Sequence, residues 1–320
     1  MTFQQLITKF PTENSIIEHY LSIRYPNGLQ CNHCQSTKVY TRKNHPKLLD
    51  CYNCKNSFSP FKNTIFEKSS TDLRKWFYAI HLLINAKKGI SAKQLEREIG
   101  VTYKTAWRML QQIRIAMGNT ENQEFFDTIV EVDETYIGGK PRKQNNHGKD
   151  DKNDKNGGNT NKRGRGTSKT PVVGVIDRIN KKAFVKVALP NKNNQKLTAI
   201  QLISILKTVS KQENNNIIIT DEFKSYNSLT RNKFIHLRID HGNLFSDRKG
   251  THTNNIESFW STLKRGVYGI YHHISTKYMQ RYIDEFCFRY NNRKNDMFGL
   301  VLKQSVLVWL NIWMFDCFLI

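Results

Sequence analysis

Two short stretches decide how this chain is expected to fold: residues 128–134 read TIVEVDE, and residues 216–222 read NIIITDE. In each stretch a run of β-branched residues of strand length is followed at once by an aspartate. These aspartates are Asp133 and Asp221. The chemistry of α/β folds lies where a strand opens into a loop, at its carboxyl end. We therefore predict that both aspartates lie at strand ends and belong to a functional site.

A third acidic residue lies on a predicted helix at residues 254–266, whose apolar side carries Ile256, Phe259, Trp260 and Leu263. Thirty-five residues lie between Asp221 and Glu257, and Lys264 follows Glu257 by two helical turns on the same face. Phosphodiester cleavage uses two divalent ions, one for the attacking oxygen and one for the leaving oxygen. Carboxylates are the ligands that Mg²⁺ prefers, and Mn²⁺ is a possible substitute. The three acids therefore predict a site for two catalytic Mg²⁺ ions.

The remaining strand and helix patterns predict a mixed α/β sheet covered by helices. Further strands are expected at residues 171–177 and 183–188, and a helix at residues 196–211. Residues 138–170 are rich in Gly, Asn, Lys and Arg and lack apolar anchors, so we expect a long basic loop there.

Four cysteines near the amino terminus form two CxxC pairs. Cys31 and Cys34 are separated by 16 residues from Cys51 and Cys54. Four thiolates in this arrangement can surround one Zn²⁺ in tetrahedral geometry, and metal binding stabilises such a small module. The pairs therefore predict a structural zinc site with a short hairpin between them.

The next segment predicts a helix at residues 70–85, with Thr71 as its N-cap, and then two helices joined by a turn at Gly100. Helix, turn, helix is the pattern of DNA-binding domains whose second helix enters the major groove. On that second helix we expect three polar residues to face outward and contact DNA: Lys104, Arg108 and Gln111.

Composition indicates a polyanionic partner. The chain has 320 residues, a formal net charge of +23 and an isoelectric point near 9.8. Residues 1–15 lack the pattern of a secretory signal, and the apolar residues 301–320 are interrupted by Lys303, Gln304, Asn311 and Asp316. We therefore expect a cytoplasmic protein that does not associate with membranes.

Several segments together resemble bacterial insertion-sequence transposases of the DDE type, in the branch with an N-terminal zinc ribbon. These segments are VEVDETYIGGK (130–140), RGRGTSKTPVVGVIDR (163–178), ITDEFKSY (219–226), HTNNIESFWSTLKRGVYGIYHHIS (252–275) and RYIDEFCFRYNNR (281–293). The resemblance implies an RNase H-like catalytic core, binding to the terminal inverted repeats of the element, and Mg²⁺-dependent cleavage followed by strand transfer. It implies double-stranded DNA as partner, both element ends and target, and self-association on DNA because two ends must meet.

Position by position, the resemblance makes Asp133, Asp221 and Glu257 the catalytic acids and Lys264 the basic residue that follows the third. Asn254, one turn before Glu257, is the alternative third position. Glu134 is expected to point to the opposite side of its strand, and Glu131 to lie at most near the site. Lys264 and Arg265 are expected to contact DNA phosphates.

The predicted domains are a zinc ribbon region at 1–62, a helix-turn-helix domain at 63–120, an RNase H-like catalytic domain at 121–298 and a tail at 299–320. Two other functions remain open at this point. A non-catalytic DNA-binding regulator would not need the three acids, and a nuclease of the same fold would cut DNA without joining it.

Overall fold

The computed structural model describes residues 1–118, 129–138, 169–189, 197–209, 217–221, 226, 228–231, 235–238 and 252–306. Most of the predicted basic loop, residues 139–168, lies outside the described residues, as do residues 307–320. The chain divides into two compact units, one comprising Met1–Asn122 and Asp284–Ile320, the other Gln123–Ile283. The finer domain limits predicted above remain predictions.

The first unit begins with two helices and a small sheet. Helices α1 (Phe3–Lys9) and α2 (Glu13–Arg24) each begin at a threonine, Thr2 and Thr12, whose side chain accepts a backbone N–H in a capping box. Strands β1 (Val39–Arg42), β2 (His45–Cys51) and β3 (Ser57–Phe58) pair antiparallel in that order. The expected hairpin between the cysteine pairs is thus present.

Helices make up the rest of this unit. They are α3 (Leu73–Asn85), α4 (Ala92–Ile99), α5 (Tyr103–Gly118) and α10 (Met297–Ser305), together with the part of α9 (Thr276–Asn292) after Ile283. Asp72 is the N-cap of α3, so the prediction of Thr71 was wrong by one residue. Ser91 caps α4, and Gly100, the predicted turn residue, ends it in the left-handed conformation, at φ +61°. One core, centred on fully buried residues such as Trp76 and Ile80, joins these helices to Leu49 of β2.

The second unit contains a five-stranded sheet in the order β6-β5-β4-β7-β8. Its strands are β4 (Ile129–Ile137), β5 (Thr170–Asp177), β6 (Ala183–Val187), β7 (Ile217–Thr220) and β8 (Ile235–Arg238). Strands β4, β5 and β6 pair antiparallel, whereas β4, β7 and β8 run parallel. This mixed order is that of the RNase H-like fold, and it confirms the predicted fold class.

Helices flank this sheet. Val130 and Val132 of β4 share a core with Leu202 and Leu206 of α6 (Ala199–Val209). The second unit also contains α7 (Ser228–Arg231), α8 (Asn254–Gly266), a π-helical turn at Val267–Tyr271 and the first part of α9. Helix α8 has the predicted limits. Within the described residues, no helix has the length and apolar character needed to cross a bilayer.

Candidate active site

Asp133 and Asp221 meet because of the register between two parallel strands. Glu131 of β4 is paired with Ile219 of β7. Two residues further on, Asp133 in β4 and Asp221, which directly follows β7, therefore lie side by side at the spacing of neighbouring strands, about 4.8 Å. Carboxylate oxygens of Asp133, Asp221 and Glu134 all lie within 4.8 Å of one another. This group could hold a divalent cation.

Asp133 does not lie at a strand end, and that expectation was wrong. Strand β4 continues to Ile137, and Asp133 pairs with Gly174 in its middle. The strand continues because Thr135 and Ile137 are β-branched and can extend the antiparallel ladder with β5. Asp221 does follow the last residue of β7, as predicted.

Burial and neighbouring acids change the protonation of Asp133. Burial, followed by the negative charges of Glu134 and Asp221, raises the pKa of the Asp133 carboxyl to about 7, against hydrogen bonds from the Glu134 backbone N–H and from Trp260. A carboxyl in this state binds a proton when no cation is present, and a divalent cation would replace that proton.

Trp260 fills the space next to Asp133, as a core residue that also donates a hydrogen bond. Its indole Nε1 donates to Asp133 Oδ2 at 3.0 Å, and the side chain is 4% exposed. Gly174 makes room for the ring, since a Cβ there would lie 2.7 Å from Trp260 Cζ2 and 2.8 Å from Cη2. The glycine thus allows α8 to approach the sheet closely beside the acidic group.

Glu134 belongs to the acidic group, contrary to the expectation that it faces away. Its Oε2 accepts a hydrogen bond of 2.8 Å from the hydroxyl of Tyr226, which is fully buried. Burial, followed by the charge of Glu134, raises the pKa of Tyr226 well above its ordinary value, so this phenol stays protonated and keeps donating. The carboxylate of Glu134 thus lies beside those of Asp133 and Asp221.

Glu257, the third predicted acid, lies on α8, the helix whose Trp260 contacts Asp133. Among the described residues, the acidic group consists of Asp133, Glu134 and Asp221 and does not include Glu257. Glu257 is exposed in the first turn of α8, one turn before Trp260, and its Oε1 accepts a hydrogen bond of 2.9 Å from the Thr253 hydroxyl. Asn254 is exposed at the first position of the same helix. The structure thus leaves the choice between Glu257 and Asn254 as a prediction.

Two basic residues lie in the last turn of α8. Lys264 is partly exposed, whereas Arg265 is exposed and donates from Nη2 to Ser261 Oγ at 2.6 Å. Their side chains reach the surface, as a role in phosphate binding requires.

The four cysteines form a second group with metal-ligand geometry. The Sγ atoms of Cys31, Cys34, Cys51 and Cys54 all lie within 4.8 Å of one another, with Cys31–Cys54 at 3.6 Å and Cys34–Cys51 at 3.5 Å. Four sulfurs bound to one Zn²⁺ at about 2.3 Å would be about 3.8 Å apart, so the arrangement fits a tetrahedral zinc site. Several hydrogen bonds, first that from the Cys54 backbone N–H, together lower the pKa of Cys51 to about 6 and favour the thiolate that zinc requires. Against a backbone hydrogen bond at Ser36, burial and the neighbouring thiols raise the pKa of Cys34 to about 12, so without a cation the four sulfurs do not ionise alike.

Comparison with known families agrees with both groups. The model of the ISXO2-like transposase domain matches residues 126–291, just over half of the chain, and that of a transposase zinc-ribbon domain matches residues 11–57. The chain belongs to the ISXO2-like transposase family. The matched ranges include the acidic group and the four cysteines, and they confirm the resemblance to DDE-type transposases with an N-terminal zinc ribbon.

Individual relatives are distant. The chain is 28% identical over 265 residues to an uncharacterized protein in transposable element ISH50 of Halobacterium salinarum, covering 81% of this chain and 84% of that protein. It is 29% identical over 120 residues to an uncharacterized transposase-like protein of Haemophilus influenzae, covering 38% of this chain and 90% of that one.

Among solved structures, a pre-cleavage Mos1 transpososome is 14% identical, with a TM-score of 0.29 over 72% of this chain and 78% of that one. The Mos1 strand transfer complex is 13% identical, with a TM-score of 0.28 and the same coverage. The fold assignment rests on the strand order of the sheet.

The helix predicted to contact DNA presents fewer polar residues than expected. Lys104 of α5 is exposed, and Arg108 is partly exposed, with Nη2 donating to the Glu67 carbonyl at 2.7 Å. Gln111 is 2% exposed, so the expectation that it faces outward was wrong. It is buried because α5 packs against α3, α4 and α10 and therefore buries a wide face.

The sequence patterns did not predict how closely Glu131 and Glu134 are connected to the site. Glu131 is fully buried and bound to both Arg178 and the start of α8, and Glu134 contacts the acidic group. The sequence does contain a hint: three acids within four residues of one apolar strand are costly to bury unless each has a partner.

Proposed function

We propose that this family member is the transposase of an insertion sequence, which binds the terminal inverted repeats of its element, cleaves the DNA there and joins the freed ends to target DNA. The observation that carries the proposal is the convergence of Asp133 and Asp221 on adjacent strands, within the range that the ISXO2-like transposase model matches. The charge of +23 supports a DNA partner.

Within this proposal, Asp133 and Asp221 hold a divalent cation, with Mg²⁺ as the natural ion and Mn²⁺ as a substitute. Glu257, or Asn254 in its place, completes a site for two ions. Such ions activate an attacking oxygen and stabilise the leaving oxygen in phosphodiester chemistry. The chain's own residues orient the site: Trp260 holds Asp133 through Oδ2, and Tyr226 holds Glu134.

The remaining predicted residues bind DNA in this proposal. The zinc ribbon and the helix pair α4–α5 recognise the element ends, with Lys104 and Arg108 reaching the duplex, while Lys264 and Arg265 contact phosphates near the cut. Because two ends must be cut and joined, copies of the chain associate on DNA. We expect these events to take place on the bacterial nucleoid in the cytoplasm.

The test is a cleavage and strand-transfer assay with duplexes that carry the element ends. With Mg²⁺, the wild type should nick at the end and join pre-cut ends to a target plasmid, and Asp221→Asn should do neither while still binding the ends. Glu18→Gln, which removes one exposed negative charge from α2, serves as the control and should keep both activities. Cleavage by Asp221→Asn would refute the proposal.

The same assay separates the two other functions. A DNA-binding regulator would bind the ends without cutting them, and a nuclease would cut without joining pre-cut ends. The acidic group favours an enzyme over a regulator, because a binding protein gains nothing from three clustered carboxylates that repel each other.

A further inference from the structure

The amino terminus of α8 is capped from the sheet rather than by its own N-cap residue. Thr253 occupies the N-cap position but makes no side-chain hydrogen bond to the helix backbone. Instead, Glu131 Oε2 accepts hydrogen bonds from the backbone N–H groups of Asn255 and Ile256, each at 3.0 Å, and its Oε1 accepts from Asn255 Nδ2 at 2.7 Å. These backbone groups, at the second and third helical positions, are the ones that an N-cap side chain ordinarily binds.

Because Glu131 takes over this role, the Thr253 hydroxyl is used differently. It donates to Glu257 Oε1 at 2.9 Å, and Thr253 is 2% exposed. A threonine that capped the helix would direct its oxygen at the backbone N–H groups. The exchange of partners thus orients the carboxylate of Glu257.

The Glu131 carboxylate is held in place from the other side by a charge. Arg178 Nε donates to Glu131 Oε1 at 2.7 Å, and the arginine also donates to the carbonyl of His252. His252 Nδ1 lies 3.5 Å from the same Oε1. Glu131 is fully buried, so this arginine and the positive end of the helix dipole compensate its negative charge.

Glu131 also lies two residues before Asp133 on the same face of β4. One strand therefore carries both a proposed metal ligand and the anchor of the helix that bears Glu257. A second link between strand and helix, from Trp260 to Asp133, lies one turn further along α8. Strand and helix are thereby tied at two points on either side of Glu257.

We propose that Glu131 is a positioning residue: through the start of α8 and the Thr253 hydroxyl, it sets the orientation of Glu257 towards the cation site formed by Asp133 and Asp221. This inference rests on the proposed function and deepens it, since it assigns the third acid to Glu257 and names what aims it. Glu131 itself does not touch the cation or the DNA in this account.

The test is Mn²⁺ binding to the zinc-loaded full chain, measured by electron paramagnetic resonance, alongside amide hydrogen exchange of the peptide spanning residues 252–260. Loss of a residue that orients a metal ligand typically weakens metal affinity by about 10- to 100-fold. We expect Glu131→Gln to weaken Mn²⁺ binding within this range and to speed exchange at Asn255 and Ile256. Strand nicking should be partly restored at high Mn²⁺ concentration, because the ligands themselves remain.

Thr253 provides a second, milder pair of variants that does not disturb the buried charge. Thr253→Val removes the hydroxyl at nearly constant volume and should weaken Mn²⁺ binding in the same direction. Thr253→Ser keeps the hydroxyl and should bind Mn²⁺ as the wild type does. These variants keep the inference testable if Glu131→Gln does not fold.

The matched control is Glu285→Gln in the first unit. Glu285 is also fully buried, and its carboxylate pairs with Arg114 at 2.5 Å and with Arg289. This variant should lose stability while its Mn²⁺ affinity stays unchanged.

The outcomes separate the inference from the proposed function. If Glu131→Gln and Thr253→Val both bind Mn²⁺ like the wild type while Glu257→Gln binds it weakly, the positioning role is refuted and the proposed function stands. If Asp221→Asn binds Mn²⁺ normally and nicks the element end, the proposed function itself fails.

Discussion

The close approach of α8 to the sheet at Gly174 yields a quantitative prediction for Gly174→Ala. The new methyl group would lie 2.7 and 2.8 Å from two ring carbons of Trp260 and 3.0 Å from Ile256 Cδ1. Forcing extra volume into a packed core costs about 1–3 kcal/mol. Replacing a strand glycine with alanine returns about 0.5–1 kcal/mol of backbone entropy. We therefore expect a net loss of about 1–2 kcal/mol in the free energy of unfolding.

A double-mutant cycle tests whether Trp260 is the cause of this loss. Trp260→Phe removes the two ring carbons that the methyl group would meet. In that background Gly174→Ala should be neutral or slightly stabilising, which gives a coupling free energy of about 1–3 kcal/mol. Urea unfolding followed by far-UV circular dichroism measures all four corners without relying on tryptophan fluorescence.

The matched control for this cycle is Gly269→Ala. A Cβ at Gly269 meets nothing within 4 Å, so this substitution should not destabilise the protein. Additive effects of Gly174→Ala and Trp260→Phe, within about 0.5 kcal/mol, would refute the reasoning, because residues that do not touch add independently.

Three further predictions concern the metal sites and the proposed DNA-binding helix. Cys51→Ser should release zinc, which a colorimetric chelator measures, and should lower the melting temperature. The melting temperature falls because the cysteine module shares its core with the helices of the first unit through Leu49. A variant that keeps both its zinc and its melting temperature would contradict this prediction. Without divalent cations, the free energy of unfolding of the wild type should fall by up to about 4 kcal/mol as pH rises from 4 through 7. The reason is that the pKa of Asp133 is raised to about 7 in the folded protein, so its favourable protonated form is lost over this range. In urea unfolding at several pH values, Asp133→Asn should lack this part of the pH dependence. Lys104→Ala should weaken binding to the element ends and lower its salt dependence in a fluorescence anisotropy titration, whereas Gln111→Ala should lower stability and leave the salt dependence unchanged.

Strand β7, helix α8 and the cysteine group could be predicted from short segments of the sequence. The β-branched run before Asp221 gives the limits of β7, and the apolar stripe of Ile256, Trp260 and Leu263 gives both ends of α8. The CxxC pairs predict their own convergence, because few arrangements other than a metal site require that spacing.

Features that depend on long-range packing could not be predicted in this way. The length of β4 past Asp133 depends on its pairing with β5, which lies across the long basic segment. The position of the Glu134 carboxylate depends on Tyr226, and two of the partners of Glu131, Asn255 and Ile256, lie on α8, more than a hundred residues away. Strand β8 has the same length as β7, but its residues IHLR alternate apolar with basic side chains and are mostly exposed, so it lacks the continuous β-branched run that identifies β7.

The proposed function requires that Asp133 and Asp221 share a divalent cation. Anomalous diffraction from a crystal of the full chain soaked in Mn²⁺ tests it directly. We expect a peak bound by carboxylate oxygens of both aspartates, separate from the zinc at the four cysteines. A Mn²⁺ peak elsewhere in the second unit, with none between these two side chains, would contradict it.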